Sequence, residues 1–311
     1  MNGWLKGATA TIIVGASFPV SQALVDYPYA AGQCIRYALG ALVLTAILKG
    51  RLGRPTRNEL GLLFLVAAVG MTGFNLAILA AVDRIGATNV GVIVGASPVI
   101  LALAASNRAV LGPAFIVVAG AAIVNGADAN LNSTGLLIAL GALAAEVGFT
   151  LLAAPLLPRL GPTRTAAWAA WIATAQLAVI HPHVPTPSTQ EAAAILYLAL
   201  LSTALAFVLW FGAVQRLGSD RAGLLVGLMP VAAVITDALL NGRAPSPADL
   251  AGTALVATGV AYGAMRKQAP ASGPRGGTRA ASAASTAGTS STCPAASSSP
   301  ATGRPAPASH R

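Results

Sequence analysis

The chain of 311 residues is strongly apolar, with 55% hydrophobic and 9% charged residues and a mean hydropathy of +0.71. Soluble globular proteins carry about 25% charged residues, so this composition excludes a large soluble protein and predicts one whose outer surface faces lipid. The net charge of +10 indicates no nucleic-acid partner, because the basic residues concentrate in alternate loops between apolar segments.

A transmembrane helix needs about 20 consecutive apolar residues, and ten segments of the chain reach or approach that length. In chain order they are residues 3–25, 30–48, 59–82, 86–106, 110–125, 134–154, 164–180, 192–214, 221–240 and 249–265. The fifth is short, and Pro113 lies near its start, where a helix tolerates proline. The sequence therefore predicts an all-α integral membrane protein with ten transmembrane helices.

The basic residues set the expected orientation, because Lys and Arg concentrate in cytoplasmic loops. With the N-terminus inside, these loops hold Lys49, Arg51, Arg54, Arg57, Arg108, Arg159, Arg164, Arg216 and Arg221, and Arg266 and Lys267 follow the last span. The opposite loops hold only Arg84 and Arg243. We expect a multi-pass protein of the cell (inner) membrane with cytoplasmic N- and C-termini.

Residues 267–311 differ in composition and are rich in Ala, Ser, Thr, Gly and Pro. They have too little large apolar surface to offset the loss of chain entropy on folding. We predict a disordered cytoplasmic tail, in which Cys293 has no structural role. Cys34 is the other cysteine, and the pair offers neither a disulfide framework nor metal-ligand spacing.

The sequence repeats itself at a fixed shift, equal to the distance along the chain from residue 81 to residue 213, which we call the repeat offset. Residues 81–86 (AVDRIG) align with 213–218 (AVQRLG), and 9 of the 19 positions from 81 to 99 are identical to their counterparts. The repeat predicts a first five-helix domain at 1–126 and a second at 127–266. Five spans per half is an odd number, so the halves must be inverted, as in many secondary transporters whose site lies at the midplane.

Helix-breaking residues recur within this repeat. Pro98 and Pro230 each remove a backbone hydrogen bond, so spans four and nine can kink there. Gly95 and Gly227 allow close helix approach. Together with Pro19 in span one, these residues are candidates for helix breaks or gating, the alternative being a role in packing alone.

The chain resembles the EamA branch of the drug/metabolite transporter superfamily over nearly all of residues 3–265. The similar stretches are residues 15–19 (GASFP), 36–42 (RYALGAL), 97–99 (SPV), 202–207 (STALAF) with 209–210 (LW), and 229–231 (MPV). The resemblance implies a ten-helix inverted-repeat exporter of metabolites such as amino acids. Members often carry a glutamate after spans four and nine, where this chain has Asn107-Arg108 and Gly242-Arg243. A gating role for that glutamate therefore does not carry over.

Three ionisable residues fall within the predicted spans: Arg36, Glu146 and Asp237. Charges inside a membrane usually face a cavity or a partner. Glu146 is the deepest acid and is a candidate to carry a coupling proton or to bind a cationic group of the substrate; the alternative is a protonated structural glutamate. Arg36 is a candidate to bind a carboxylate or to pair with Asp237. The alternatives are a snorkelling arginine and an interfacial aspartate.

Neutral polar residues inside the spans are candidates to orient a substrate: Gln33, Asn75 and Gln176. Each could equally be interhelical glue worth about 1 kcal/mol. The turn His181-Pro182-His183 offers two ligands, too few for zinc. We find no phosphate-binding motif and no nucleophile with a base in reach, so we expect no catalytic residue, metal or cofactor.

The sequence favours a secondary transporter that exports a small metabolite, such as an amino acid, amine or drug-like compound, with proton antiport as the candidate coupling. The alternatives are an intramembrane enzyme, which needs more convergent catalytic groups than this chain offers, and a non-transporting membrane scaffold or receptor. The expected partners are a small-molecule substrate and the lipid bilayer, with the protein acting as a monomer or homodimer.

Overall fold

In the computed structural model, the described residues are 2–24, 26–125, 132–181, 183–242 and 244–265, and within these ranges every regular element is a helix. The α-helices are α1 (Gly3–Ser21), α2 (Tyr29–Ile47), α3 (Arg57–Ala67), α4 (Phe74–Val94), α5 (Ser97–Ala104), α6 (Arg108–Asn125), α7 (Ser133–Ala153), α8 (Leu157–Ile180), α9 (Thr189–Tyr197), α10 (Ala206–Leu217), α11 (Ser219–Leu224), α12 (Leu228–Asn241) and α13 (Pro247–Met265). The predicted tail and Arg243 lie outside the described residues.

Several of these stretches can cross a membrane. By length and composition, the described residues contain six such stretches: Gly3–Leu24, Tyr29–Ile47, Arg57–Ile85, Ser133–Ile180, Thr189–Leu217 and Ser219–Leu240. Arg108–Ile123 is a shorter apolar helix. Ser133–Ile180 has 48 residues, more than twice the length of about 20 that a span needs, and Gly161 interrupts its helical geometry with a φ of +74°. The chain is a multi-pass membrane protein.

Two helix starts carry the same capping signal. Thr56 and Glu59 form a capping box before α3, and Ser188 and Glu191 form one before α9. Such a box satisfies free backbone N–H groups at the first turn through the two side chains. The second box follows the first by the repeat offset, so the capping signal belongs to the sequence repeat.

Two π-helices interrupt the α-helices at corresponding positions. Ala68–Gly73 joins α3 to α4, and Leu198–Leu205 joins α9 to α10. We call them the first and second π-helix. A π-helix is rare and frequently marks a functional site, because its extra residue changes the direction of the side chains and loosens the backbone ladder.

Helical structure continues through two segments that the sequence assigned to loops. Residues 83–85 lie within α4, where Arg84 donates a hydrogen bond to the carbonyl of Ala80. Residues 157–160 already belong to α8. Residues 83–85 contain no proline or glycine, so α4 continues past the end of the predicted span, whereas the helical turn at 157–160 ends at the break of Gly161.

The helices pack as pairs. α13 packs on α6, α7 on α4, α2 on α8, and α1 on both α10 and α12. Small residues allow these contacts: a Cβ at Gly120 on α6 would lie 2.7 Å from the carbonyl oxygen of Gly252 on α13, and one at Gly15 on α1 would overlap the carbonyl oxygen of Met229 on α12.

Helix breaks lie next to both predicted prolines. α4 ends at Val94, Gly95 follows as its C-cap, and α5 begins at Ser97 with Pro98 in its first turn. In the second half a short 3₁₀ segment, Leu225–Gly227, precedes α12, which contains Pro230. A Cβ at Gly227 would overlap the side chain of Val117 on α6. Gly227 therefore serves close packing.

Candidate functional site

Arg36 is the centre of a polar cluster between α2 and the second π-helix. Its Nε donates to Thr203 Oγ1 at 2.7 Å, its Nη2 to Ser202 Oγ at 3.2 Å and its Nη1 to Gln33 Oε1 at 3.2 Å. The ring of Tyr37 lies 5.3 Å from the guanidinium carbon, within cation–π distance. Every one of these partners is neutral, so among the described residues the positive charge has hydrogen bonds but no ion pair.

The second π-helix brings its hydroxyl groups into this cluster. Ser202 and Thr203 are fully buried in an otherwise apolar segment. Ser202 Oγ also donates to Ser17 Oγ on α1 at 3.4 Å. The close approach of α2 depends on Gly40, where a Cβ would lie 2.8 Å from Thr203 Cγ2.

Asn75 connects the cluster to α4. Its Nδ2 donates to Tyr37 Oη at 2.8 Å and to the carbonyl of Met71 at 2.5 Å, and its Oδ1 accepts from Tyr29 Oη at 3.0 Å. Tyr37 therefore contacts Arg36 with its ring and Asn75 with its hydroxyl. Through it the structure brings together Arg36 and Asn75, two residues that the sequence selected separately.

Gln176 on α8 binds the first π-helix. Its Oε1 accepts from Thr72 Oγ1 at 2.8 Å, and its Nε2 donates to the carbonyl of Phe64 at 3.3 Å. Both ends of its amide are thus held by other helices. Each π-helix therefore supplies a hydroxyl to one of the candidate residues.

Glu146 lies on the inward face of α7. The opposite face carries Leu137 and Leu140, which are exposed, whereas Ala142 and Ala153 on the side of Glu146 are fully buried. Glu146 itself remains partly exposed. In the part of the chain that the structure describes, no hydrogen bond or ion pair reaches this carboxylate.

The depth of Glu146 matches that of the Arg36 cluster. α7 runs antiparallel to the chain from the first π-helix into α4, and the ring of Phe149 lies against Gly70. Glu146, one turn before Phe149, is therefore level with about residue 73, using the 1.5 Å rise per residue. This is within one turn of Asn75.

Asp237 and Pro19 lie outside the cluster. Among the described residues the ion pair found is that of Glu59 with Arg159, so Arg36 and Asp237 do not pair with each other in this structure. Pro19 lies in α1 and lines a cavity of about 510 Å³ between the ends of α1, α9 and α12.

The comparisons with known proteins agree with this architecture. Residues 133–263 match the EamA-like transporter family. The chain therefore carries an EamA-like transporter domain. This confirms the resemblance seen in the sequence.

Two relatives of this chain are named as transporters. This chain is 27% identical over 266 residues to a probable terminal-alkyne amino-acid exporter of Streptantibioticus cattleyicolor, and the match covers 80% of this chain and 89% of the exporter. It is 24% identical over 296 residues to the uncharacterized transporter YetK of Bacillus subtilis, covering 87% and 89%. A solved crystal structure shares its fold, with a TM-score of 0.73 at 19% identity over 84% of this chain and 95% of that one.

The two positions at which the chain departs from the family pattern differ in structure. Asn107 Nδ2 donates to Asp220 Oδ2 at 2.5 Å, so an acid from α11 contacts this position. Gly242 follows α12 with a φ of +67°, a left-handed conformation that glycine adopts without strain.

Several residues that hydrogen-bond to the candidate residues or to their partners were not selected from the sequence: Ser17, Tyr29, Tyr37, Thr72, Ser202 and Thr203. Tyrosine, serine and threonine are common in membrane helices, and nothing in their spacing shows which ones face each other. The available signal was the set of stretches that carry the family resemblance: residues 15–19, 36–42 and 202–207 contain Ser17, Tyr37, Ser202 and Thr203.

Proposed function

We propose that this EamA-like protein is a secondary transporter that exports a small carboxylate-bearing metabolite of the amino-acid class across the inner membrane, coupled to proton antiport. Its architecture in this proposal is ten spans in two inverted five-helix repeats with both termini in the cytoplasm. Arg36 binds the carboxylate, and Glu146 carries the coupling proton. Gln33 and Asn75 hold the cluster in position.

The observation that carries this proposal is the neutral surrounding of Arg36. A guanidinium has five N–H donors in a planar fork that matches a carboxylate. A cation inside a membrane is costly without a counter-charge, and the described partners of Arg36 supply none. Binding of an anionic group therefore lowers the energy of the site, which favours a carboxylate substrate over an amine or a cationic drug.

The packing of the helices supports a two-repeat transporter. Under the repeat offset, α2 corresponds to α8 and α6 to α13, and each of these pairs is in direct contact. The contact of α1 with α10 likewise corresponds to that of α7 with α4. Equivalent contacts of this kind are expected when two halves are related by a two-fold axis in the membrane plane. The printed name of the Streptantibioticus relative supports an amino-acid substrate.

The test uses purified protein in liposomes with an imposed pH gradient, with internal pH followed as amino acids, amines and cationic drugs are added. We expect amino acids to trigger proton flux in the wild type. Arg36→Gln lowers kcat/KM for the amino acid by about 10- to 100-fold, because a hydrogen bond to a charged group contributes about 1.5–3 kcal/mol. Glu146→Gln abolishes the proton flux.

Arg84→Gln is the matched control, because this arginine is exposed and binds a carbonyl of its own helix. It should transport at the wild-type rate. Equal transport by Arg36→Gln and the wild type would rule out Arg36 as the carboxylate site. Persistent proton flux in Glu146→Gln would rule out the proposed coupling and leave the transporter assignment intact.

A further inference from the structure

A polar contact joins the two predicted repeats at the end of the molecule where α5 meets α6. The side-chain amide of Asn107, in the first repeat, donates to the carboxylate of Asp220, in the second, at 2.5 Å. Asp220 is buried, with 8% of its surface exposed, and it lies on α11, which packs against both α5 and α6. A hydrogen bond to a charged group is stronger than one between neutral groups, so this contact contributes to holding the repeats together at this end.

The backbone around Asn107 fixes the direction of its side chain. Ser106 has a φ of +53°. Its N–H and that of Asn107 bind the carbonyls of Leu103 and Ala102, which is the Schellman arrangement at the end of a helix. Asn107 Oδ1 also accepts from the N–H of Ala109, in the first turn of α6, at 3.2 Å. Non-glycine residues with positive φ are uncommon and often occur in switch regions, and here the conformation leaves the amide nitrogen directed across the interface.

Close apolar packing between the repeats surrounds this contact. A Cβ at Gly223 on α11 would lie 2.7 Å from Leu101 Cδ1 on α5. A Cβ at Gly227 would overlap the side chain of Val117 on α6. Small residues of one repeat therefore receive larger side chains of the other, and the two repeats are closed against each other at this end.

The equivalent place at the other end of the molecule differs. Under the repeat offset α5 corresponds to α12 and α11 to the end of α4, yet among the described residues α12 and α4 do not form a closely packed pair. Asp220 corresponds in sequence to Thr88, and Gly242 follows span nine as Asn107 follows span four. A Cβ at Gly242 would meet nothing within 4 Å. The cavity of about 510 Å³ between the ends of α1, α9 and α12, which we call the outer cavity, lies at this end.

We infer that the bond between Asn107 and Asp220, which we call the inner latch, keeps the cytoplasmic end closed and that the structure is the outward-open state of the transporter. The inference goes beyond the proposed function but rests on its orientation, in which Arg108, next to Asn107, lies in the cytoplasm. Alternating access requires the site to open to each side in turn, so an exported substrate enters only after the latch has broken. Because the bond exists in one state only, its loss shifts the equilibrium toward the inward-open state.

The outward-open state is measured by the reactivity of a cysteine in the outer cavity. Ala23 lines this cavity and is half-buried, so Ala23→Cys is introduced into a Cys34→Ala, Cys293→Ser background. A membrane-impermeant maleimide is added to intact cells, and the labelling rate reports how much of the protein is open to the outside. The measurement needs no substrate, so it remains valid if the protein transports no amino acid, a result that would refute the proposed function alone.

Exchanging the two latch residues tests the inference. Asn107→Asp keeps the oxygen that binds α6 but removes the donor and places a second carboxylate against Asp220. We expect labelling to become about three- to tenfold slower, because a hydrogen bond to a charged group shifts an equilibrium by about tenfold or more. Adding Asp220→Asn supplies a donor again, and the double variant should label within about twofold of the Ala23→Cys parent. Asp220→Asn alone keeps the shape and removes the charge, so it should slow labelling in the same direction by a smaller factor.

Asn58→Asp is the matched control, because Asn58 is exposed in the first turn of α3, on the same side of the membrane in the proposed orientation. It should leave the labelling rate unchanged. An unchanged rate in both Asn107→Asp and Asp220→Asn, or a double variant at least as slow as Asn107→Asp, would overturn the latch. Labelling of Ala23→Cys only in permeabilised cells would overturn the inference together with the proposed orientation.

Discussion

At the scale of single residues, the sequence identifies polar groups within apolar spans but not their neighbours. Arg36, Gln33 and Asn75 stand out because polar groups inside a membrane need a reason. Thr203 does not stand out in the sequence, although it accepts the shortest hydrogen bond that Arg36 donates. That contact joins two residues far apart in the chain, and such pairings arise only when the helices pack.

Thr203→Val tests how strongly the cluster depends on this contact. The change keeps the side-chain volume but leaves the Nε–H of Arg36 without an acceptor, and an unsatisfied buried donor costs about 1–3 kcal/mol. We expect a lower unfolding temperature of the detergent-solubilised protein. Thr258→Val is the control, because this exposed hydroxyl binds a carbonyl of its own helix, and it should change little. Equal unfolding temperatures for the two variants would contradict the prediction.

At the scale of elements, some helix positions were predictable because length and apolarity define a span, but α4 runs through the predicted boundary between spans three and four. The ends of α1, α2 and α7 lie within about one turn of the predicted ones. The two π-helices were not predictable: each inserts a residue into a helix whose composition remains uniformly apolar. These π-helices carry Thr72, Ser202 and Thr203, so the geometry of the site was missed with them.

Gly40→Ala tests the packing of α2 on the second π-helix. The added Cβ would lie 2.8 Å from Thr203 Cγ2 and 3.3 Å from the carbonyl oxygen of Ala199, so the helices must separate and the bonds of Arg36 lengthen. We expect a loss of stability of about 1–3 kcal/mol and slower transport. Gly61→Ala is the control: nothing lies within 4 Å of its added Cβ, and alanine in an α-helix is favoured by about 0.5–1 kcal/mol. Opposite effects on unfolding temperature support the packing argument, and equal effects reject it.

At the scale of the whole molecule, elements of secondary structure recur at about the same spacing as the sequence repeat. The capping boxes before α3 and α9 recur at the repeat offset, and the two π-helices recur close to it. The repeat alone does not show that the two repeats are inverted in the membrane, because their orientation depends on the number of spans between equivalent residues. With five spans per repeat, the two capping boxes must lie on opposite sides of the membrane.

Labelling of single cysteines measures this inversion directly. Arg57 follows the N-cap residue Thr56 by one position, Gln190 follows the N-cap residue Ser188 by two, and both are exposed. Arg57→Cys and Gln190→Cys are introduced separately into a Cys34→Ala, Cys293→Ser background. The positive-inside rule places Arg57 in the cytoplasm, and five intervening spans then place Gln190 on the outside. A membrane-impermeant maleimide added to intact cells should therefore label Gln190→Cys. Arg57→Cys should react only after the membrane is permeabilised. Labelling of both cysteines from the same side would require an even number of spans between them, and the inverted-repeat architecture would then be wrong.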